Sequence, residues 1–228
     1  MPHQKGLTGI VCPLKVEASP LLKWEPSAIS FQKRGLLWRQ LSSPCSIVIV
    51  RSGVGAEKAQ KATRDLIELH SPDRVINFGT AAALHPSLKI GDLVVSLDAV
   101  TDSAEKAAAI LSPMLQELTQ CLSSYDHVHM GRVLTVTQVL DSSSERESLF
   151  QKHKALCVDM ESAHVLQVCA EYRVPACAVR VISDRGNNGA REEFLQNYRH
   201  TLESASSLLK NCLKSEQEPA PTDSVLDD

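Results

Sequence analysis

Residues 155–187, ALCVDMESAHVLQVCAEYRVPACAVRVISDRGN, decide how this chain is read. Ala155 to Val158 is a short apolar run, and Asp159 is suited to cap a helix that continues to about Tyr172. Pro175 to Ser183 has the near-continuous apolar character of a buried strand. The stretch therefore reads as strand, helix, strand, with an acid at each switch point. Glu161 falls in the first turn of the helix, and Asp184 falls just past the end of the second strand. Open α/β sheets bind ligands at the carboxyl ends of their strands. An acid directly after VRVIS stands where chemistry usually happens, and the rest of the chain is expected to build the pocket around it.

Working outward, Leu7–Leu14 is a first strand ended by Pro13, and Lys15–Trp24 puts Glu17 near a strand end or in a first helical turn. AISFQ and LLWRQ, within Ala28–Gln40, flank Lys33-Arg34-Gly35 and read as a hairpin. Cys45–Arg51 is a β-branched strand broken by Ser52-Gly53-Val54-Gly55. Ala56–His70 is helical through Ala59, Ala62, Leu66 and Leu69. Arg74–Phe78 is a strand closing on Gly79-Thr80-Ala81-Ala82-Ala83. Leu88–Val95 carries the strand LVVS, Ser103–Leu122 a helix with a break at Pro113, and Val128–Thr137 a strand. Ser142–His153 is partly helical, and Ala190–Lys214 is a final amphipathic helix. Alternating strands and helices predict an α/β chain, a three-layer α/β/α sandwich around a mixed, largely parallel twisted sheet. Residues 1–214 form a single domain in this reading. Ser215–Asp228, acidic and Pro-containing, is expected to be a disordered tail.

The chain has 228 residues, 43% of them hydrophobic and 22% charged, with a net charge of -3. That suits one α/β domain and gives no basic surface for nucleic acid. Seven cysteines occur without a CxxC pair. Cys12, Cys157, Cys169 and Cys177 sit in apolar runs, so the set is read as reduced core residues of a cytoplasmic protein, without disulfides or zinc. No apolar stretch approaches a membrane span, and MPHQKG does not begin a signal peptide. The eight histidines form no ligand pattern; His127 and His129 alternate on a strand without partners. Neither a metal nor a cofactor is expected.

Taken singly, the candidate residues each have two readings. SGVG between a strand and a helix either presents N–H groups to an anion or is simply a tight turn; it lacks the third glycine of a dinucleotide fingerprint and the lysine of a P-loop. GTAAA lets either a ligand or a helix come close. Glu17 alone reads as a solvated surface acid before a catalytic one. Glu161 alone fits a helix N-terminal charge, and Asp184 alone fits a turn cap.

Taken in order, IVCPLKVEA, IVIVRSGVGAEKA, SPDRVINFGTAAALHPSLKIGDLVVS and CVDMESAHVLQVCAEYRVPACAVRVISD resemble the purine nucleoside phosphorylase/uridine phosphorylase superfamily over roughly Gly9 to Leu209. The resemblance is greatest to its 5′-methylthioadenosine/S-adenosylhomocysteine nucleosidase branch and to a hopanoid-associated nucleosidase/phosphorylase branch. It implies a nucleoside phosphorylase-like fold, a homodimer, and cleavage of a purine N-glycosidic bond in a small-molecule nucleoside. In that resemblance Asp184 matches the acid at purine N7 and Glu17 the base that activates water. Glu161 matches the acceptor of the ribose 2′- and 3′-hydroxyls, and Met160 the residue beneath the sugar. Ser183 matches the partner of the acid, and Gly79 and Thr80 belong to the turn near the ribosyl site.

The chain departs from the family at four places. Asn77-Phe78 occupies the place where bacterial phosphorylases carry an arginine for phosphate, and neither Arg51 nor Arg74 stands in for it; with Glu17, this favours water as nucleophile. Val139 falls where the family has an aromatic ring that stacks on adenine. Ala82 adds a methyl to a turn where glycine is usual, and Leu97–Ala104 shortens one wall of the pocket for the substituent on the ribose 5′ carbon. Three functions follow: a nucleosidase acting on an adenosine-type nucleoside, a phosphorylase, or a non-catalytic nucleoside-binding protein.

Overall fold

The computed structural model describes residues 6–42, 45–103, 105–140 and 142–215. In chain order the elements are β1 (Thr8–Cys12), α1 (Lys15–Leu22), β2 (Ile29–Lys33), β3 (Leu36–Leu41), β4 (Ile47–Arg51), α2 (Ala56–His70), β5 (Arg74–Ala83), β6 (Leu93–Ser96) and β7 (Asp98–Thr101). There follow β8 (Lys106–Ala108), α3 (Pro113–Ser123), β9 (Val128–Met130), β10 (Val133–Thr135), α4 (Ser143–His153), β11 (Cys157–Asp159), α5 (Ser162–Glu171), β12 (Ala176–Asp184) and α6 (Ala190–Ser215). The expected tail lies outside the described residues, apart from Ser215, which ends α6.

The four central strands, in the order β4-β1-β5-β12, run parallel. Antiparallel partners are added on both sides, β3 and then β2 beside β4, and β6 beside β12. The sheet is mixed, as expected. Side chains alternate across it: Ile10, Ile76, Val179 and Val181 pack with α1, α3 and α6. Val11, Val75, Ala176 and Ile182 pack with α2 and α5 on the opposite face. Helices thus cover both faces, giving the three layers.

Three elements differ from the sequence reading. The helix expected over Ser103–Leu122 begins only at Pro113, with the Ser112 hydroxyl accepting from the Leu115 N–H at its start. The alanine-rich run before it is drawn into an antiparallel ladder, β8 on β7, so pairing overrides helix propensity there. The strand expected over Val128–Thr137 is two strands split at Gly131-Arg132. One half pairs β6 and the other pairs β7 and β11. Finally, Arg74–Phe78 does not stop at the glycine: β5 continues through Gly79 to Ala83.

The cysteine reading also needs correction. Cys121 on α3 and Cys212 on α6 form a disulfide with Cα atoms 5.7 Å apart. Packing of the two helices brings together residues 91 apart in sequence, a separation that carries no local signature. Cys12, Cys45, Cys157, Cys169 and Cys177 are free thiols, all buried.

Leu209 of α6 is fully buried in the cluster that joins this helix to the sheet. Leu209→Ala should therefore lower the unfolding free energy by about 2–5 kcal/mol, read as a shift of the urea midpoint at unchanged slope.

Candidate active site

The site begins with a mismatch of strand lengths. β1 pairs β5 only as far as Asn77, and β11 meets the same edge of β5 only at Ala82. Between them the backbone of β5 has no strand partner on that side. After Cys12 the chain turns through Pro13 into α1 and delivers Glu17 to this gap. Its Oε1 accepts from the Thr80 N–H at 2.8 Å and from the Thr80 hydroxyl at 2.8 Å. Its Oε2 accepts from the Leu14 N–H at 2.7 Å. Glu17 is 2% exposed. Burial pushes its carboxyl above the usual range, while nearby Arg180 and the donated hydrogen bonds pull the other way.

Gly79 lies behind the cavity rather than on its wall. A Cβ there would sit 2.8 Å from Glu17 Oε1 and against Arg180 Nη1. Glycine at this point lets the carboxylate and the guanidinium close on the strand.

Arg180, in the middle of β12, is fully buried. Its Nη2 lies 2.7 Å from Asp159 Oδ2 and 3.8 Å from Glu161 Oε2. The same nitrogen donates to Asn77 Oδ1, and Nε donates to the Ser162 hydroxyl at 3.1 Å. Asp159 also accepts from Thr135 Oγ1 at 2.7 Å and from the Ser162 N–H at 3.1 Å. That last bond holds the start of α5, so Asp159 does serve the helix end. The helix itself opens at Ser162, and Glu161 is its N-cap rather than a first-turn residue.

Glu161 Oε1 accepts from the Gly55 N–H at 2.9 Å. Gly53 and Gly55 have φ of 87° and 98°, a backbone region that favours glycine. Within the same SGVG turn the Ser52 and Gly53 N–H groups donate to the carbonyls of Cys12 and Pro13. Burial pushes Glu161 up to about 7; Arg180 opposes this, and Asp159 and Glu17 reinforce it.

Asp184 is the last residue of β12, at a register shift against β5 that follows Ile182. It accepts from the Ser183 hydroxyl at 2.9 Å and from the Gly186 N–H at 3.0 Å. Burial raises its pKa, those two donors work against the shift, and the negative charge of Glu193 adds to it.

These groups face one cavity of about 520 Å³, within the range of small-molecule sites. Glu17, Thr80, Met160, Glu161, Ser183 and Asp184 all line it, as does Val139. Of the residues matched to the family's catalytic and substrate-binding positions, only Gly79 stands off its surface. Val139 is 74% exposed and forms part of the rim, and Ala82 lines the wall.

Sequence reasoning missed two contributors. Phe194 brings an aromatic ring to the cavity from the start of α6, stacked on Tyr198 at 5.3 Å. Arg180 carries a signal of its own: a lone cation inside a buried strand demands buried partners. His129, read as lacking a partner, lies 3.2 Å from Asp92. Among the described residues no cluster of three or more His, Cys, Asp or Glu could hold a metal ion, and no helix is long and apolar enough to cross a membrane.

A family model described as the phosphorylase superfamily matches residues 8–214. The chain belongs to that superfamily. Among curated members it is 29% identical, over 187 residues, to the 5′-methylthioadenosine/S-adenosylhomocysteine nucleosidase of Staphylococcus epidermidis, covering 73% of this chain and 82% of that protein. Two solved members share the superfamily fold with a TM-score of 0.84 and 23% identity. They are the futalosine hydrolase of Helicobacter pylori, covering 93% of this chain and 99% of that one, and the 5′-methylthioadenosine/S-adenosylhomocysteine nucleosidase of the same organism, covering 93% and 100%.

The raised carboxyls of this superfamily member have a consequence for stability. Glu161, shifted from 4.5 to about 7, binds its proton more tightly in the folded than in the unfolded chain. Folding stability from this source is complete below the unfolded value and is lost as pH rises through the folded one. The unfolding free energy should therefore fall between pH 4.5 and pH 7. Glu161→Gln should flatten that slope, as read by chemical denaturation at a series of pH values.

Proposed function

We propose that this chain is a purine nucleosidase. It hydrolyses the N-glycosidic bond of an adenosine-type nucleoside such as 5′-methylthioadenosine, S-adenosylhomocysteine or another 5′-modified adenosine. One observation carries the reading: the buried carboxylates Asp184, Glu161 and Glu17 face a single cavity, and the N–H groups of Ser52, Gly53, Gly55 and Thr80 in the two glycine-bearing segments are committed to protein acceptors. Phosphate would need free N–H groups and cations at the glycine turns. Here Glu161 takes the Gly55 N–H and Glu17 takes the Thr80 N–H, so carboxylates stand where an anionic nucleophile would have to enter. The names of similar proteins point the same way.

Cleavage moves electrons from the glycosidic bond onto the purine and leaves positive charge on the ribose. Asp184 donates its proton to N7 of the departing base, with Ser183 orienting the carboxyl. Glu161 accepts the ribose 2′- and 3′-hydroxyls above Met160, whose thioether packs beneath the sugar. Glu17, steadied by Thr80, takes the proton of the attacking water. Phe194 offers the ring that Val139 lacks. The active form is a homodimer in this reading. Val54, Val139 and Leu195, which are 37%, 74% and 59% exposed, leave apolar surface at and near the rim for a second copy to cover.

Asp184→Asn keeps the shape but has no proton to give. Its turnover should drop ~10²–10⁴-fold, while nucleoside binding, measured calorimetrically, persists; near-normal turnover would remove Asp184 from the acid's role. Wild-type protein should release free sugar in phosphate-free buffer with no rate gain on adding phosphate, and Glu17→Gln should abolish that release. Phosphate-dependent turnover that survives in Glu17→Gln, with sugar 1-phosphate as product, would replace hydrolysis by phosphorolysis.

A further inference from the structure

The charge of the cavity reverses between floor and mouth. Its acids are deep, with Glu17, Glu161 and Asp184 at most 8% exposed. Arg180 is fully buried and is not part of the cavity surface. Among the described residues the one cation that lines the cavity is Arg191, an exposed side chain in the first turn of α6. The dipole of a helix disfavours positive charge in its first turn. The acids that follow, Glu192 and Glu193, fit the dipole, and Glu193 accepts the Arg185 N–H at 2.9 Å. No hydrogen bond or ion pair holds the guanidinium of Arg191 among the described residues. Ala190, Arg191 and Phe194 share the side of α6 that looks into the cavity.

A nucleoside whose base reaches Asp184 and whose ribose reaches Glu161 occupies the floor. The arm on its 5′ carbon is the part left to run outward, past the apolar Val54, Val139 and Phe194. An anionic group on the base or sugar would be buried among carboxylates, whereas one at the end of that arm would meet a guanidinium in partial solvent. We propose that Arg191 is a specificity-determining residue that reads the far end of the 5′ substituent. Among nucleosides of the proposed class, those whose 5′ arm ends in a carboxylate are then preferred over neutral ones of equal length. This rests on the nucleosidase reading above. Guanidinium and carboxylate match as a two-pronged, charge-assisted pair, and the pair discriminates by charge rather than by arm length.

The test compares two ligands of equal length, 5′-deoxy-5′-(3-carboxypropylthio)adenosine and its neutral primary amide. Kinetic constants are measured with wild-type protein and with Arg191→Gln, and dissociation constants with Asp184→Asn and with Asp184→Asn/Arg191→Gln. With Arg191 present the acid should be favoured over the amide by roughly 2- to 5-fold, as expected for a partly exposed ion pair. The preference should shrink as salt is raised and vanish in both proteins that carry Arg191→Gln. An acid-to-amide ratio near one with Arg191 present, or a ratio that Arg191→Gln leaves intact, overturns the assignment. Turnover of 5′-methylthioadenosine, assayed alongside, tests the nucleosidase reading separately. If it is cleaved and the ratio is one, only the role of Arg191 falls. If no adenosine derivative is cleaved or bound, both readings fall.

Discussion

A guanidinium shut away from water must be neutralised by the protein itself, and Arg180 imposes that requirement on the centre of this molecule. Its partners come from two places: Asn77 on β5, and Asp159 and Ser162 at the junction of β11 and α5. Glu161 and Glu17 add their charges from the same junction and from α1. Each of these segments approaches the carboxyl end of a central strand, so the ion cluster ties together the parts of the sheet that border the cavity. Removing one partner of a buried pair typically costs about 3–5 kcal/mol, because the other charge is left unmatched. The cluster also explains Gly79, since a side chain there would separate Arg180 from Glu17.

The second constraint is topological. Had β1 been as long as β5, its ladder would have taken the Thr80 N–H, and no acid would have been needed at that edge. Because β1 stops at Cys12, the chain turns early, and α1 fills the vacated hydrogen-bonding position with a carboxylate. The SGVG turn does the same for Glu161. The two glycine-rich segments are therefore sites where backbone donors fix acids in place. That resolves the double reading of SGVG from sequence: the anion it faces belongs to the protein.

Much of this was legible in the sequence where a single periodicity governs a segment. The helix over Ala56–His70, the hairpin around Arg34 and the buried strand ending near Asp184 are local patterns, and the structure keeps them. What failed depends on partners distant in the chain. Alanine-rich residues beside β7 became a strand because a ladder was available, and Cys121 met Cys212 only because α3 packs on α6. Asp184 and Glu161 could be singled out because one closes a strand and the other opens a helix, whereas Glu17 stood out only through the family resemblance. Phe194 and Arg191 could not, since the cavity-facing side of α6 is set by how the helix seats on β12, not by its own pattern.

Hydrolysis by this arrangement requires one carboxyl to hold a proton and another to lose it, although burial raises both. The difference lies in what surrounds each. Asp184 has no cation among the groups that shift it; its charged neighbour is Glu193, which reinforces the proton's hold against only two hydrogen bonds. Glu17 has Arg180 beside it, three hydrogen bonds that favour its ionised form, and a place in the first turn of α1, where the dipole also favours negative charge. Desolvation is the largest influence at both carboxyls, and a cation works against it only at Glu17. In the proposed mechanism this difference in surroundings favours Asp184 as the donor and Glu17 as the acceptor. Glu161, between them and shared with Arg180, is suited to hold hydroxyl groups rather than to carry the proton across.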